Sequence, residues 1–189
     1  MTMRWCLGLV AMAVGAAAQA DGVDLNLNND SVYAAYIGSY RSAETAYAAF
    51  GNGQRESRAV SATLLAYGEQ RNASLRADIG IGGRAYLASI AEPGPGNSKE
   101  VSALGLGGQV RVFPLNGPLG IGVSGFFSPE VVTGLDARSF WETGARLEFE
   151  VIRNSASVYV GYRQMRMNLE AGGYRILDRD THAGVRIMF

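Results

Sequence analysis

The chain is predicted to be all-β: a closed antiparallel transmembrane β-barrel behind a cleaved signal peptide. Three observations predict it. A short apolar leader ends in a small-residue cleavage pattern, most of the remaining chain alternates with a two-residue hydropathy period, and the connections alternate between short and long. Eight strands are expected, and ten are the alternative count.

Residues 1–20 read as the signal peptide. Arg4 supplies the positive start, Trp5 to Ala18 form an apolar run, and Ala18-Gln19-Ala20 is a small-x-small site before Asp21. A run of 14 residues is too short for a helical span, which needs about 20. Cleavage after Ala20 leaves one domain, residues 21–189, with no cysteine, because Cys6 lies in the leader. An exported chain without cysteine must hold its fold without disulfides or a thiolate metal site. The 17 basic residues, all arginine except Lys99, balance 17 acidic ones, so no nucleic-acid partner is indicated. Glycine, at 25 of 189 residues, is well above the usual ~7%.

The clearest strands come in order. Leu75, Ala77, Ile79, Ile81, Gly83, Ala85 and Leu87 share one parity, against Arg76, Asp78, Gly80, Gly82, Arg84 and Tyr86. Leu104, Leu106, Val110 and Val112 likewise oppose Gly105, Gly107, Gln109 and Arg111, and Trp141 through Val151 oppose Glu142, Gly144, Arg146, Glu148 and Glu150. Successive side chains of a strand point to opposite faces, so each strand has one apolar and one polar face. Val158, Val160 and Tyr162 have one parity and Met165, Met167 and Leu169 the other, which predicts a bulge or strand end at Arg163-Gln164. Seven strands are expected, at about 57–69, 72–88, 98–112, 117–127, 139–152, 155–169 and 180–189. Residues 31–50 would supply an eighth. Alternatively Val23 to Asn28, Ser31 to Tyr40 and Ala43 to Phe50 supply three, since Asn28-Asn29-Asp30 is good turn chemistry.

Short turns are expected at Gln70-Arg71-Asn72, Pro114 to Gly117 and Arg153-Asn154-Ser155. Longer links fall at Gly51 to Ser57, Glu92 to Ser98, Ser128 to Arg138 and Ala171 to Asp180. A soluble sandwich or lipocalin-like barrel also alternates, but it buries its apolar face inside. Here the polar faces mix arginine, carboxylate and glycine, which suits a narrow lumen. The closing run His182 to Phe189 looks like the C-terminal strand signal read by the barrel assembly machinery, with Gly184, Ile187 and Phe189 as its candidate residues.

Candidate chemistry is sparse. His182, the only histidine, reads as a lumen or strand-end polar residue, lacking the serine and carboxylate of a catalytic triad. Asp178 and Asp180 flank Arg179 in what is expected to be a solvated loop. Gly80 to Gly83 and Gly105 to Gly108 resemble phosphate loops but lie inside alternating strands, where small residues help pack a narrow interior. No enzyme activity, cofactor or metal is expected. One constellation remains: Arg76, Asp78, Arg84, Arg111, Glu142, Arg146, Glu148, Glu150 and Arg186, all on polar faces. They could line a selective pore or cross-link the lumen as arginine–carboxylate pairs. The plug is favoured, because an eight-stranded barrel leaves little room beyond its side chains.

Phe126-Phe127-Ser128-Pro129-Glu130, Gly134-Leu135-Asp136, the strand from Trp141, Asn154 to Arg163 and the closing Gly184 to Phe189 resemble the YfaZ-type outer-membrane proteins. The resemblance is best over residues 100–189. It implies a small Gram-negative outer-membrane barrel, with no catalytic residues to carry over. The expected partners are outer-membrane lipid and, during insertion, the assembly machinery; the barrel is expected to be a monomer. The expected role is structural or surface-interacting. A narrow channel or small-ligand transporter is the alternative, and a lipid-modifying enzyme is less favoured.

Overall fold

In the computed structural model, which describes residues 22–91, 98–135, 137–170 and 172–189, one antiparallel sheet closes on itself. Its strands are β1 (Gly22–Leu27), β2 (Ser31–Tyr40), β3 (Ala43–Asn52), β4 (Ser57–Arg71), β5 (Leu75–Ala91), β6 (Ser98–Pro114), β7 (Leu119–Ser128), β8 (Thr133–Leu135), β9 (Ala137–Ile152), β10 (Ala156–Leu169) and β11 (Tyr174–Met188). Ten of them form the wall in the order β5-β4-β3-β2-β1-β11-β10-β9-β7-β6, and β6 returns to β5. The short β8 comes after a single 3-10 turn, Glu130–Val132, and pairs with the upper end of β6. The proposed signal peptide lies outside the described residues.

The wall therefore has ten strands, not the favoured eight. The difference lies in residues 22–52, which form three strands. Asn28 caps the first turn: its Oδ1 accepts the amides of Asp30 at 2.8 Å and Ser31 at 2.5 Å. The second turn is less visible, because Arg41 takes the left-handed conformation (φ 54°) where glycine or asparagine would be expected. Six residues suffice for β1 because it is paired on both sides, to β2 and to β11.

Gly22, Phe189 and the connections at 41–42, 72–74, 115–118 and 153–155 gather at one end. The connections at 28–30 and 53–56, and the strand ends that flank 92–97, 129–136 and 170–173, lie at the other. The expected turns and links fall at opposite ends, but only 92–97 and 129–136 are longer than the four-residue turn 115–118; the expected long link Gly51 to Ser57 shrinks to 53–56. β11 begins at Tyr174, so Ala171 to Asp180 is mostly strand rather than loop.

Two glycine positions show how sharply the wall curves. A Cβ at Gly82 would strike the Leu64 carbonyl, and one at Gly107 the Gly125 carbonyl. Neighbouring strands approach too closely there for any side chain. These glycines lie within β5 and β6, so the apparent phosphate loops are strand interiors.

Parity runs inside out. Leu64, Ile81, Leu87, Leu106, Val151 and Val160 point outward and are 59–69% exposed. Arg76, Asp78, Glu142, Glu148 and Arg186 point inward and are buried. A water-soluble barrel of this size would place these sets the other way round.

Candidate functional site

The interior has two halves along the barrel axis. Towards the short-turn end it is a lattice of ion pairs. Arg76 reaches Glu150 at 2.6 Å, and its guanidinium lies 3.9 Å from the centroid of the Phe113 ring. That ring occupies the space over Gly120, where a Cβ would come within 2.5 Å of it. Arg111 pairs with Asp78 at 2.9 Å and faces Glu148 at 3.6 Å. Arg146 bridges Glu148 at 3.1 Å and Asp24 at 3.3 Å. Arg186 meets Glu44 at 3.3 Å, and Gln109 donates to the same carboxylate at 2.6 Å. Ser157 donates to Glu148 at 2.7 Å, and the Tyr159 hydroxyl donates to Asp24.

Midway, two further pairs close this lattice. Arg84 meets Glu142 at 3.0 Å, with Tyr86 donating to the same carboxylate at 2.8 Å. Arg163 meets Asp178 at 2.9 Å. Beyond them the chemistry changes. Phe50, Ile90, Val101, Phe140, Met167 and Leu177, drawn from six strands, fill the interior at the long-loop end. Phe140, Met167 and Leu177 are fully buried, and Tyr86 joins the two halves with its ring 4.5 Å from that of Phe140.

This division corrects the expected phase slip at Arg163-Gln164. β10 is continuous: Ser157, Tyr159, Arg163, Met165, Met167 and Leu169 all point inward. Its parity never changes; the lumen changes from polar to apolar. The irregularity in this strand pair lies in β11, where Leu177 is inserted between Ile176 and Asp178, the partners of Arg166 and Met165. The aspartate reading is corrected as well. Asp178 is fully buried and paired with Arg163, whereas Asp180 is partly exposed and 3.9 Å from Arg55.

All nine charged residues singled out from the sequence point inward, and each has an ion-pair partner. Four further members of the lattice lie outside that set: Asp24, Glu44, Arg163 and Asp178. Asp24 is legible in the sequence, because Val23-Asp24-Leu25-Asn26-Leu27 alternates as regularly as any later strand. The interior set among the described residues is then six arginines (Arg76, Arg84, Arg111, Arg146, Arg163, Arg186) against seven carboxylates (Asp24, Glu44, Asp78, Glu142, Glu148, Glu150, Asp178), close to neutral. Buried charges are tolerated when paired in this way.

Among the described residues, two cavities remain inside the lumen. One of about 220 Å³ lies towards the short turns, between Tyr67, Arg76, Asp78 and Glu150. One of about 120 Å³ lies deeper, beside Asp24, Tyr33, Glu142 and His182. Arg111 and Arg186 border both and so form the partition. The first is lined mainly by polar groups, the deeper one by charged side chains together with Ala35, Ile37 and Leu65, and both are large enough to hold water. His182 stands edge-on to Tyr159, with ring centroids 5.9 Å apart. Among the described residues, no group of three His, Cys, Asp or Glu is placed to hold a metal ion.

The three residues of the candidate assembly signal lie at the closing edge of the wall. Gly184 faces inward beneath Tyr159, whose ring a Cβ there would strike. Ile187 and Phe189 are exposed on the outside.

These features define a class: a narrow antiparallel barrel with an apolar exterior and an ion-paired, partly sealed lumen. Comparisons with protein-family models, curated proteins and solved structures find no match.

Proposed function

We propose that the mature chain is a small outer-membrane β-barrel with a structural or surface-interaction role, exported by a signal peptide cleaved after Ala20. One observation carries this reading: the barrel is inverted, with aliphatic side chains outward and paired charges inward. In water such an exterior would be an aggregation hazard; in a bilayer it is the stable arrangement. Ten closed strands leave no unpaired edge of the kind a hydrocarbon layer excludes. The resemblance to YfaZ-type proteins points the same way. We read the lumen as closed, because an ion entering past Arg111 and Arg186 would still meet the apolar fill around Phe140 and Met167.

The chain should fractionate with outer membranes, start at Asp21, and migrate differently in detergent before and after boiling. A freely soluble product with one migration would overturn the reading. In planar bilayers the refolded protein should show no steady conductance. The two chambers, both bordered by charged side chains, favour a second reading, a narrow channel, and steady ion-selective current would establish it. Insertion should depend on the assembly machinery acting through Gly184, Ile187 and Phe189. Deleting Phe189 should lower outer-membrane levels without affecting signal cleavage.

A further inference from the structure

On the outer wall, two guanidiniums stand apart from the paired arginines of the lumen. Register pairs Gln164 with Arg179 and, past the inserted Leu177, Arg166 with Ile176. Arg163, Met165 and Met167 point inward, so Gln164 and Arg166 point outward, as does Arg179 opposite Gln164. Arg166 and Arg179 are thus diagonal neighbours on one strand pair, a relation that places residues about 7–8 Å apart. Aromatic groups position both. The Arg166 guanidinium lies 4.2 Å from the centroid of the Tyr174 ring, and Arg179 donates to the Tyr162 hydroxyl at 3.2 Å. Trp141, on β9, is the register partner of Arg166.

Neither arginine has a carboxylate within ion-pair distance among the described residues, whereas all six arginines of the interior lattice do. The Arg166 Nε is buried without an acceptor. The outward positions of β9, β10 and β11 hold no acidic residue from Val151 up to Ser139, from Val158 up to Asn168, or from Ile187 up to Tyr174.

Height along the barrel suggests the partner. On β9 the outward run begins at Val151 near the short turns and reaches Trp141 near the long loops, a stretch matching the roughly 9–11 tilted residues that cross a hydrocarbon layer. Arg166 and Arg179 therefore stand where the apolar belt gives way to headgroups, the level at which tryptophan and tyrosine concentrate. A guanidinium pair lacking protein anions matches the forked geometry of a phosphate. We propose that Arg166 and Arg179 clamp the phosphate of an anionic phosphomonoester lipid at the long-loop end, on a shelf formed by Trp141, Tyr162 and Tyr174. The inference rests on the membrane-barrel reading above.

Trp141 is the only tryptophan of residues 21–189 and stands beside the clamp, so it can report occupancy. The mature chain would be refolded into phosphatidylcholine vesicles containing a small equal fraction of either brominated phosphatidic acid or brominated phosphatidylcholine. Insertion is checked in each by heat-dependent migration. Brominated phosphatidic acid should quench Trp141 severalfold more strongly, and inorganic phosphate should not relieve the quenching. The Arg166→Gln/Arg179→Gln variant should lose the preference, while Arg138→Gln, on an arginine already paired with Glu130 at 2.9 Å, should keep it. Equal quenching by the two lipids in an inserted wild-type protein would overturn the clamp alone. Relief by inorganic phosphate would show a free-anion site instead of a lipid site and would also overturn it. Failure to insert into either vesicle would overturn the clamp together with the membrane reading.

Discussion

The two halves of the lumen share one wall, one parity and many of the same strands, yet they are built on opposite principles. Near the short turns, β10 contributes Ser157 and Tyr159 to a polar lattice; near the long loops it contributes Met167 and Leu169 to an apolar fill. The polar half leaves chambers of about 220 and 120 Å³. The apolar half packs Phe140 and Met167 to complete burial. Charge pairing needs directed geometry and tolerates hydrated space between its members, whereas apolar side chains are held by the absence of space. The first half specifies the arrangement of strands. On the closed-lumen reading, the second blocks the path along the axis.

That contrast can be broken most forcefully at its boundary. Arg163→Met leaves Asp178 buried without its cation, and such a break costs about 3–5 kcal/mol. Adding Asp178→Leu should recover most of the loss, read as the urea midpoint in lipid vesicles. A double variant no more stable than the single one would show that the pair is not what holds the boundary. Within the apolar half, Met167→Ala should cost about 2–5 kcal/mol, because the wall cannot collapse into the gap. Conductance sharpens the comparison further. The Phe140→Ser/Met167→Ser variant should admit ions in planar bilayers if the apolar half is the barrier, and continued silence would assign closure to the ion pairs.

In the polar half the expected effects are smaller. Glu148→Gln weakens the contacts to Arg111 and Arg146 but keeps an acceptor for Ser157, so a loss of about 1–3 kcal/mol without new conductance is expected. Glu150→Gln should cost least, about 1 kcal/mol. There Arg76 retains its stacking on Phe113 and its hydrogen bond to Asn154 at 3.0 Å. A larger penalty at Glu150 than at Glu148 in the same denaturation assay would reverse the assignment of the more tightly held centre.

Parity makes much of this legible in the amino-acid sequence alone. The outward and inward sets of β5, β6 and β9 come directly from the two-residue period, because a strand cannot present Leu106 and Arg111 to the same face. Strand number is harder. It turns on Arg41, a residue whose side chain gives no hint that its backbone will reverse the chain. The lumen's division resembles a phase slip in sequence because Met165 and Met167 are apolar, as outward Val160 is, yet they point inward. Period alone cannot distinguish a strand that flips from an interior that changes solvent character. Pair identities are out of reach for a different reason. Arg111 meets Asp78 and Glu148, and Arg186 meets Glu44, through register across several strands, which no single strand encodes.

The seam between β1 and β11 bears on how the wall is completed in time. Gly22 lies opposite Met188, so the first described strand is paired with the last one. No shorter chain, however well its hairpins form, can present a ring without free edges. Until β11 is in place, the edge of β1 that it covers has no partner in the wall. Contacts between the most distant parts of a chain form slowly, since the ends must find each other before anything offsets the entropy of the loop. Only six register pairs then fasten the ring, against seventeen between β5 and β6. The same adjacency means that the two ends could be joined by a brief linker and the chain reopened in a long loop, leaving every strand its neighbours while moving the last-made edge elsewhere.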